Sequence, residues 1–170
     1  MFENTDYRIF FEFIKNYSGR GFANIDNQDQ SMIRLNRILS RRRQFFYIAD
    51  LLKFKILYTS PQILDIFGVS PEDYDLSHNF RVSHPLDIER RSRVRVKVIE
   101  SGQELFIRKS GNKIISSSFR MKNITGVYSD IFMQSYLFYC NSPIETVYIL
   151  MVHTPITLLL KKFKRGYYQW

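Results

Sequence analysis

Apolar side chains at Tyr7, Phe10, Phe11, Ile14 and Tyr17 recur at helical spacing and predict an amphipathic first helix that ends before "SGRG". Beyond "NIDNQDQ", where Asp29 or Ser31 suits a cap, Met32, Leu35, Ile38 and Leu39 define a second helical stripe. It ends in Arg41, Arg42 and Arg43, which suit the negative end of a helix dipole. The aromatic and β-branched run "QFFYIADLLKFKILYTS" predicts two short strands turning near Leu52 and Lys53. In "SPQILDIFGVSPEDY", Ser60 and Pro61 suit a cap and a first helical residue, Ile63, Leu64 and Phe67 share one side, and Gly68 is a stop; Ser70 opens a second Ser-Pro start. Three long strands close the chain, "NKIISSSFRMKN", "YSDIFMQSYLFYC" and "TVYILMVHTPIT", and predict an antiparallel meander.

Between these blocks, "HPLDIERRSRVRVKVIESG" supports two incompatible patterns. Val94, Val96 and Val98 alternate with Arg93, Arg95 and Lys97 as on a half-buried strand. On a helical wheel, however, Ile88, Val94, Val98 and Ile99 fall within one arc, interrupted by Arg91 and Arg95. Pro85 suits a first helical position, Asp87 and Glu89 the positive end of the dipole, and Gly102 a stop. Glu89 precedes Arg93 by four residues and Glu100 follows Lys97 by three, an acidic spacing that only a helix explains. The segment is therefore read as a helix, and the whole as α+β with a five-stranded antiparallel sheet and flanking helices.

In this order the elements, with "YTSPQILDIFGVSPEDY", "HPLD", "FRMKN..G.Y" and "VYILMVHTPIT", resemble a PAS domain running from about Gln44 to Thr157. The resemblance divides the chain into an N-terminal helical extension (1–43), a PAS-like domain (44–157) and a C-terminal linker (158–170). "YSGRGFANID", "RRQFFYIADLLKFKILYTS" and "LFYCNSPIETVYILMVHTPIT" are similar to bacterial regulators of Bacteroidetes type, in which a PAS domain precedes a LuxR-type helix-turn-helix. That implies a non-enzymatic sensory and dimerisation domain of a cytoplasmic transcriptional regulator, touching DNA only through a module that nothing in this chain resembles. Where the resemblance leads one to expect an acidic residue after "HT", this chain has Pro155. The last strand is accordingly expected to lose regular pairing at or before Pro155, with "ITLLLKKFKRG" leaving as a separate, partly helical segment.

Composition limits the alternatives. A chain of 170 residues, 45% hydrophobic and 16% aromatic, buries one substantial core. The first residues are too broken by charge for a signal peptide, and no segment is long and apolar enough to span a bilayer, so no membrane partner is expected. One cysteine, Cys140, supplies neither a disulfide nor a cysteine zinc site, and no metal ligand set is assigned. The net charge of +9 keeps a basic nucleic-acid-binding domain as the main alternative function. Its basic residues nevertheless fall mainly in three separate places, "RLNRILSRRR", "ERRSRVRVK" and "LLLKKFKRG".

A ligand-binding domain of the resembled type needs a mostly apolar cavity between sheet and helices. Candidate lining is Phe46, Ile48, Tyr58, Leu64, Phe67, Val94, Val98, Phe119, Met121, Tyr136 and Tyr148, for a possible small-molecule ligand. The preferred reading is that these side chains simply fill the core, because interiors pack without voids. Flavin photosensors of the resembled fold carry a reactive cysteine on a helix before the connector helix; Cys140 lies on a late strand, so covalent flavin photochemistry is not expected. Haem needs an axial ligand such as histidine, but His84 suits a helix start, His153 belongs to "VHTPIT" and His78 sits in the polar "DLSHN". Haem is not expected either, and the cofactor is unknown. Ser116, Ser117 and Ser118 alternate on a strand and do not converge as nucleophiles. A cone-shaped α+β isomerase or hydratase is the enzyme alternative, with Asp130 as its one candidate base. For assembly, a homodimer through Phe10, Phe11, Ile14, Leu35 and Leu39 is expected, with the sheet as a second surface; the competing reading folds both helices back onto their own sheet.

Overall fold

The computed structural model of the protein describes residues 5–18, 20–22, 25–26 and 28–156. Two helices come first, α1 (Thr5–Ser18) and α2 (Gln30–Arg41). Asp29 caps α2, its carboxylate accepting from the Ser31 amide at 2.8 Å and pairing with Arg20. The hairpin β1 (Phe45–Asp50) and β2 (Lys55–Thr59) follows, turning over Leu51 to Phe54. Short helices α3 (Ile63–Phe67) and α4 (His78–Arg81) and a single 3-10 turn (Pro85–Asp87) lead into the long helix α5 (Ile88–Arg108). Strands β3 (Asn112–Lys122), β4 (Tyr128–Cys140) and β5 (Thr146–Pro155) complete an antiparallel sheet of order β2-β1-β5-β4-β3.

Side chains alternate across a strand, so each face of this sheet collects one parity of residues. Phe45, Tyr47 and Ala49 of β1 share a core with Met133 and Leu137 of β4, Ile149 and Met151 of β5, and Val98 and Leu105 of α5. Phe46 and Ile48, with Tyr136, Phe138, Tyr148, Leu150 and Val152, form a second core with Phe10, Phe13, Tyr17 and Phe22 and with Met32, Leu35 and Leu39 of α2. α5 thus covers one face of the sheet, and α1 with α2 covers the other. Central strands buried on both sides lose the polar alternation of an exposed sheet. Phe10, Leu35 and Leu39, expected at a dimer surface, are buried in this intramolecular core, and Ile14 packs against it. Phe11 remains 42% exposed, edge-on to the Tyr136 ring at 6.3 Å.

Residues 93–99 lie in α5 and take no part in the sheet ladder. Of the two expected pairs, Glu89–Arg93 and Lys97–Glu100, the first forms an ion pair. Gly102 is not a stop: α5 runs on to Arg108 and ends at Lys109 in the left-handed conformation (φ 57°). Gly102 is instead a contact point, since a Cβ there would lie 2.3 Å from Leu51 Cδ2. The Ser-Pro starts also differ from expectation. Ser60 does not cap α3; its Oγ accepts from the Phe46 amide at 3.0 Å, and the helix begins only at Ile63. At Ser70, the hydroxyl bonds the Asp73 carboxylate at 2.8 Å in a turn that does not propagate. Gly68 does end α3, at φ 70°. β5 pairs with β4 through Pro155, opposite Ile131, and ends there. The expected departure of the following segment and the linker 158–170 lie outside the described residues.

Candidate functional site

α5 does not seal onto the sheet along its whole length. Between them is a cavity of about 110 Å³, smaller than a drug-sized cleft but roomy enough for several waters or one compact organic molecule. Its sheet wall is Tyr47 and Ala49 of β1, Ile149 and Met151 of β5, Met133 and Ser135 of β4, and Ser117 and Phe119 of β3. Arg91, Val94, Arg95, Val98 and Ile99 of α5 form the opposite wall, and Leu76, Asn79 and Phe80 close one side. Asp50, Leu51 and Phe54 close the other, at the hairpin turn.

The unusual group in this wall is Arg91. It lies on the buried stripe of α5 with Val98, Ser101, Gly102 and Leu105, and it is only 5% exposed. Its guanidinium carbon stands 4.9 Å from the Phe119 ring centroid and 5.5 Å from that of Phe80. Nη1 is buried without a hydrogen-bond partner. Burial pulls the guanidinium below its ordinary pKa, against an opposing effect of the Tyr47 and Tyr74 hydroxyls. An uncompensated buried ion costs on the order of several kcal/mol, whereas a cation over an aromatic face returns about 0.5–2 kcal/mol, so the rings offset only part. The carboxylate one turn earlier, Asp87, is already engaged: it accepts from Arg120 Nη2 at 2.8 Å, Arg120 Nε at 3.0 Å and the Arg120 amide at 2.9 Å. Asp50, in the cavity wall, accepts from the Leu52 and Lys53 amides and the Thr146 hydroxyl.

Other polar groups around the cavity hold weak partners. The Tyr47 hydroxyl donates only to Met151 Sδ at 3.5 Å, and burial pushes its pKa up to about 12. Ser135 Oγ reaches the same sulfur at 3.9 Å. Tyr74 is better placed, donating to Asn79 Oδ1 at 2.7 Å. Beneath them His153 stacks on Phe45, centroids 4.1 Å apart and 11° between planes, with both ring nitrogens unpartnered. Burial, aided by the charge of Arg91, holds its pKa well below the usual value and the ring neutral.

Of the residues expected to line a cavity, Val94, Val98 and Phe119 do so. Phe67 and Met121 belong to the same core but stand back from the wall. Leu64 is 49% exposed. Phe46, Ile48, Tyr136 and Tyr148 are of the other parity and lie in the opposite core, with Tyr58 packed against it and accepting a hydrogen bond from Asn36 at 2.7 Å. Tyr47, Ala49, Met133, Ser135, Ile149 and Met151, one residue away in each strand, take those places. Arg91 and Arg95 interrupt the apolar arc of α5, and that interruption is the signal in the sequence that points to them.

The remaining candidates are dispersed. Asp130 is exposed, opposite Arg120 in the β3–β4 ladder, and is not a base aimed into the cavity. Ser117 faces the cavity, whereas Ser116 is exposed. His84 caps the 3-10 turn, accepting from the Leu86 amide at 3.2 Å. His78 is buried in α4 between Phe67 and Tyr74, and Cys140 lies in the core under α1 and α2. Two of the three basic runs, on α2 and α5, sit on opposite sides of the sheet; the third lies outside the described residues. Among the described residues no helix is long and apolar enough to cross a membrane.

No protein-family model matches this sequence, and no curated protein sequence matches it. Solved structures do. The N-terminal domain of a diguanylate cyclase with PAS/PAC sensor from Marinobacter aquaeolei superposes with a TM-score of 0.50 at 16% identity, over 69% of this chain and 98% of that one. A sensory box histidine kinase/response regulator from Burkholderia thailandensis gives 0.49 at 13% identity, over 78% and 91%. Cycle PAS-B of Drosophila melanogaster, with bound ethylene glycol, gives 0.43 at 13%, over 65% and 98%. At this identity the first likeness speaks to the fold alone, and with the strand order and flanking helices it shows that this chain has an α+β, PAS-like fold.

Proposed function

We propose that this chain is a non-enzymatic sensory domain that binds a small molecule in the cavity beneath α5 and works, as a homodimer, within a cytoplasmic transcriptional regulator. The observation that carries the reading is the cavity itself. A domain of this size has ample apolar volume to close such a space, yet about 110 Å³ stays open beside buried polar groups that lack strong partners. A mostly apolar chamber with a few placed polar groups is the usual form of a small-molecule site, and one this small suits a compact molecule. The regulatory setting rests on the sequence segments similar to LuxR-type regulators, and the basic runs on opposite sides of the sheet favour it over direct nucleic-acid binding.

A native mass spectrum of the protein purified from its own host tests the reading. A small non-covalent adduct is expected, lost on denaturation and missing from a Val98→Phe variant whose larger side chain fills the cavity. A spectrum of bare protein, with Val98→Phe gaining stability as a simple void-filling change, would sink it.

A further inference from the structure

We propose that the ligand is a compact carboxylate with an apolar body, and that Arg91 is the residue that recognises its charged end. The inference rests on the cavity-binding reading above and adds the chemical class of the ligand. Arg91 is nine-tenths buried, faces the cavity and leaves Nη1 without a partner. The two acids nearby in chain and wall, Asp87 and Asp50, are held elsewhere, by Arg120 and by the hairpin turn with Thr146. A guanidinium presents its donors in a planar fork that matches the two oxygens of a carboxylate. Phe80 and Phe119 flank that fork, their ring centroids 5.5 and 4.9 Å from the guanidinium carbon.

The rest of the cavity suits such a molecule. Ala49, Val94, Val98 and Ile149 offer an apolar wall for a hydrocarbon body. The hydroxyls of Tyr47 and Ser135, bonded only to a thioether sulfur, are free to exchange that partner for a ligand oxygen. Arg95, its guanidinium 5.4 Å from the Phe80 ring and its side chain exposed, adds positive potential at the edge of the cavity. Phosphate fits less well: a largely apolar chamber with a single buried guanidinium compensates one negative charge, not two.

The test is calorimetric titration of the full 170-residue chain with benzoate, phenylacetate and isovalerate, each beside its neutral amide, and with inorganic phosphate. At least one acid is expected to bind tenfold or more tighter than its amide, with phosphate failing to compete. Arg91→Met removes the charge at similar length. It is expected to weaken the acid by at least about 30-fold while leaving the amide unchanged, and to leave the empty protein as stable as the parent or more so. Should that variant fail to fold, Arg91→Lys decides: keeping the charge without the fork, it is expected to lose at least fivefold for the acid alone. Amides that bind as tightly as acids, phosphate that competes, or acid affinity indifferent to Arg91 would overturn the carboxylate assignment and leave the cavity-binding reading standing. Failure of every acid and amide to bind would overturn both.

Discussion

Asp87 ties the start of α5 to the sheet. Its carboxylate holds the Arg120 side chain and backbone amide, and it also pairs with Arg90 at 3.6 Å. These donors hold its pKa well below the usual carboxylate range, the Arg120 side chain contributing most. Hydrogen bonds to charged groups contribute about 1.5–3 kcal/mol, so Asp87→Ala is expected to lose about 2 kcal/mol in urea unfolding at neutral pH. The pH dependence has a definite sign. Because the folded pKa is depressed, the contribution is complete above the unfolded value of about 3.9 and is lost as pH falls below it. The gap between parent and Asp87→Ala should therefore be constant from pH 7 to about 5 and narrow below about 4. A gap that widens with acid would show that another group is responsible.

At the scale of elements, α5 was the segment with two readings, and the acidic residues settled it. Hydrophobicity alone could not, because "RVRVKV" satisfies a strand as well as a helix, whereas Glu89 one turn before Arg93 has meaning only on a helix. Val96 sits mid-helix with its side chain 54% exposed, so its substitution isolates the backbone. Val96→Pro is expected to cost about 3 kcal/mol or more, and Val96→Ala to stay within about 0.5 kcal/mol of the parent, by chemical denaturation. Equal effects of the two would contradict the helix. The sequence does not separate a stop from a contact at Gly102, because a glycine in a helical pattern can mark either, and only the approach of Leu51 distinguishes them. Gly102→Val must displace Leu51 and is expected to lose about 1–3 kcal/mol through overpacking. The five-stranded antiparallel sheet, with the meander that completes it, was legible. The facing of its central strands was not, because β1 and β5 are buried on both sides and their sequences carry no polar alternation. The parity errors at Phe46, Ile48 and Tyr148 have that origin, and the one at Tyr136 falls where β4 is likewise buried on both faces, from Ser135 to Phe138.

At the scale of the molecule, the same double burial gives the first helices a definite task. Tyr17 and Phe22 stack at 4.5 Å, Phe22 meets Tyr148 edge-on at 5.1 Å, and Phe10 stacks on Tyr136 at 5.2 Å. The apolar stripe of α2 was legible from spacing; that of α1 was legible at Phe10 and Tyr17 but missed the buried Phe13 and included the exposed Phe11, and whether the stripes met a second copy or their own sheet was not legible, since both need the same pattern. In the folded chain they meet the sheet. Deleting residues 1–27 removes four buried rings, Phe10, Phe13, Tyr17 and Phe22, and uncovers Tyr136, Phe138 and Tyr148. At about 1.5–3 kcal/mol for each large apolar side chain, the loss is on the order of 6 kcal/mol or more, comparable with the whole stability of a small domain. The truncated chain is expected to unfold at much lower denaturant, or to persist only by pairing its uncovered sheet with another copy. Denaturation together with light scattering over a range of concentrations separates those outcomes from the contrary one. A truncated protein that stays monomeric with an unchanged midpoint would mean that the aromatic layer under α1 contributes nothing to folding.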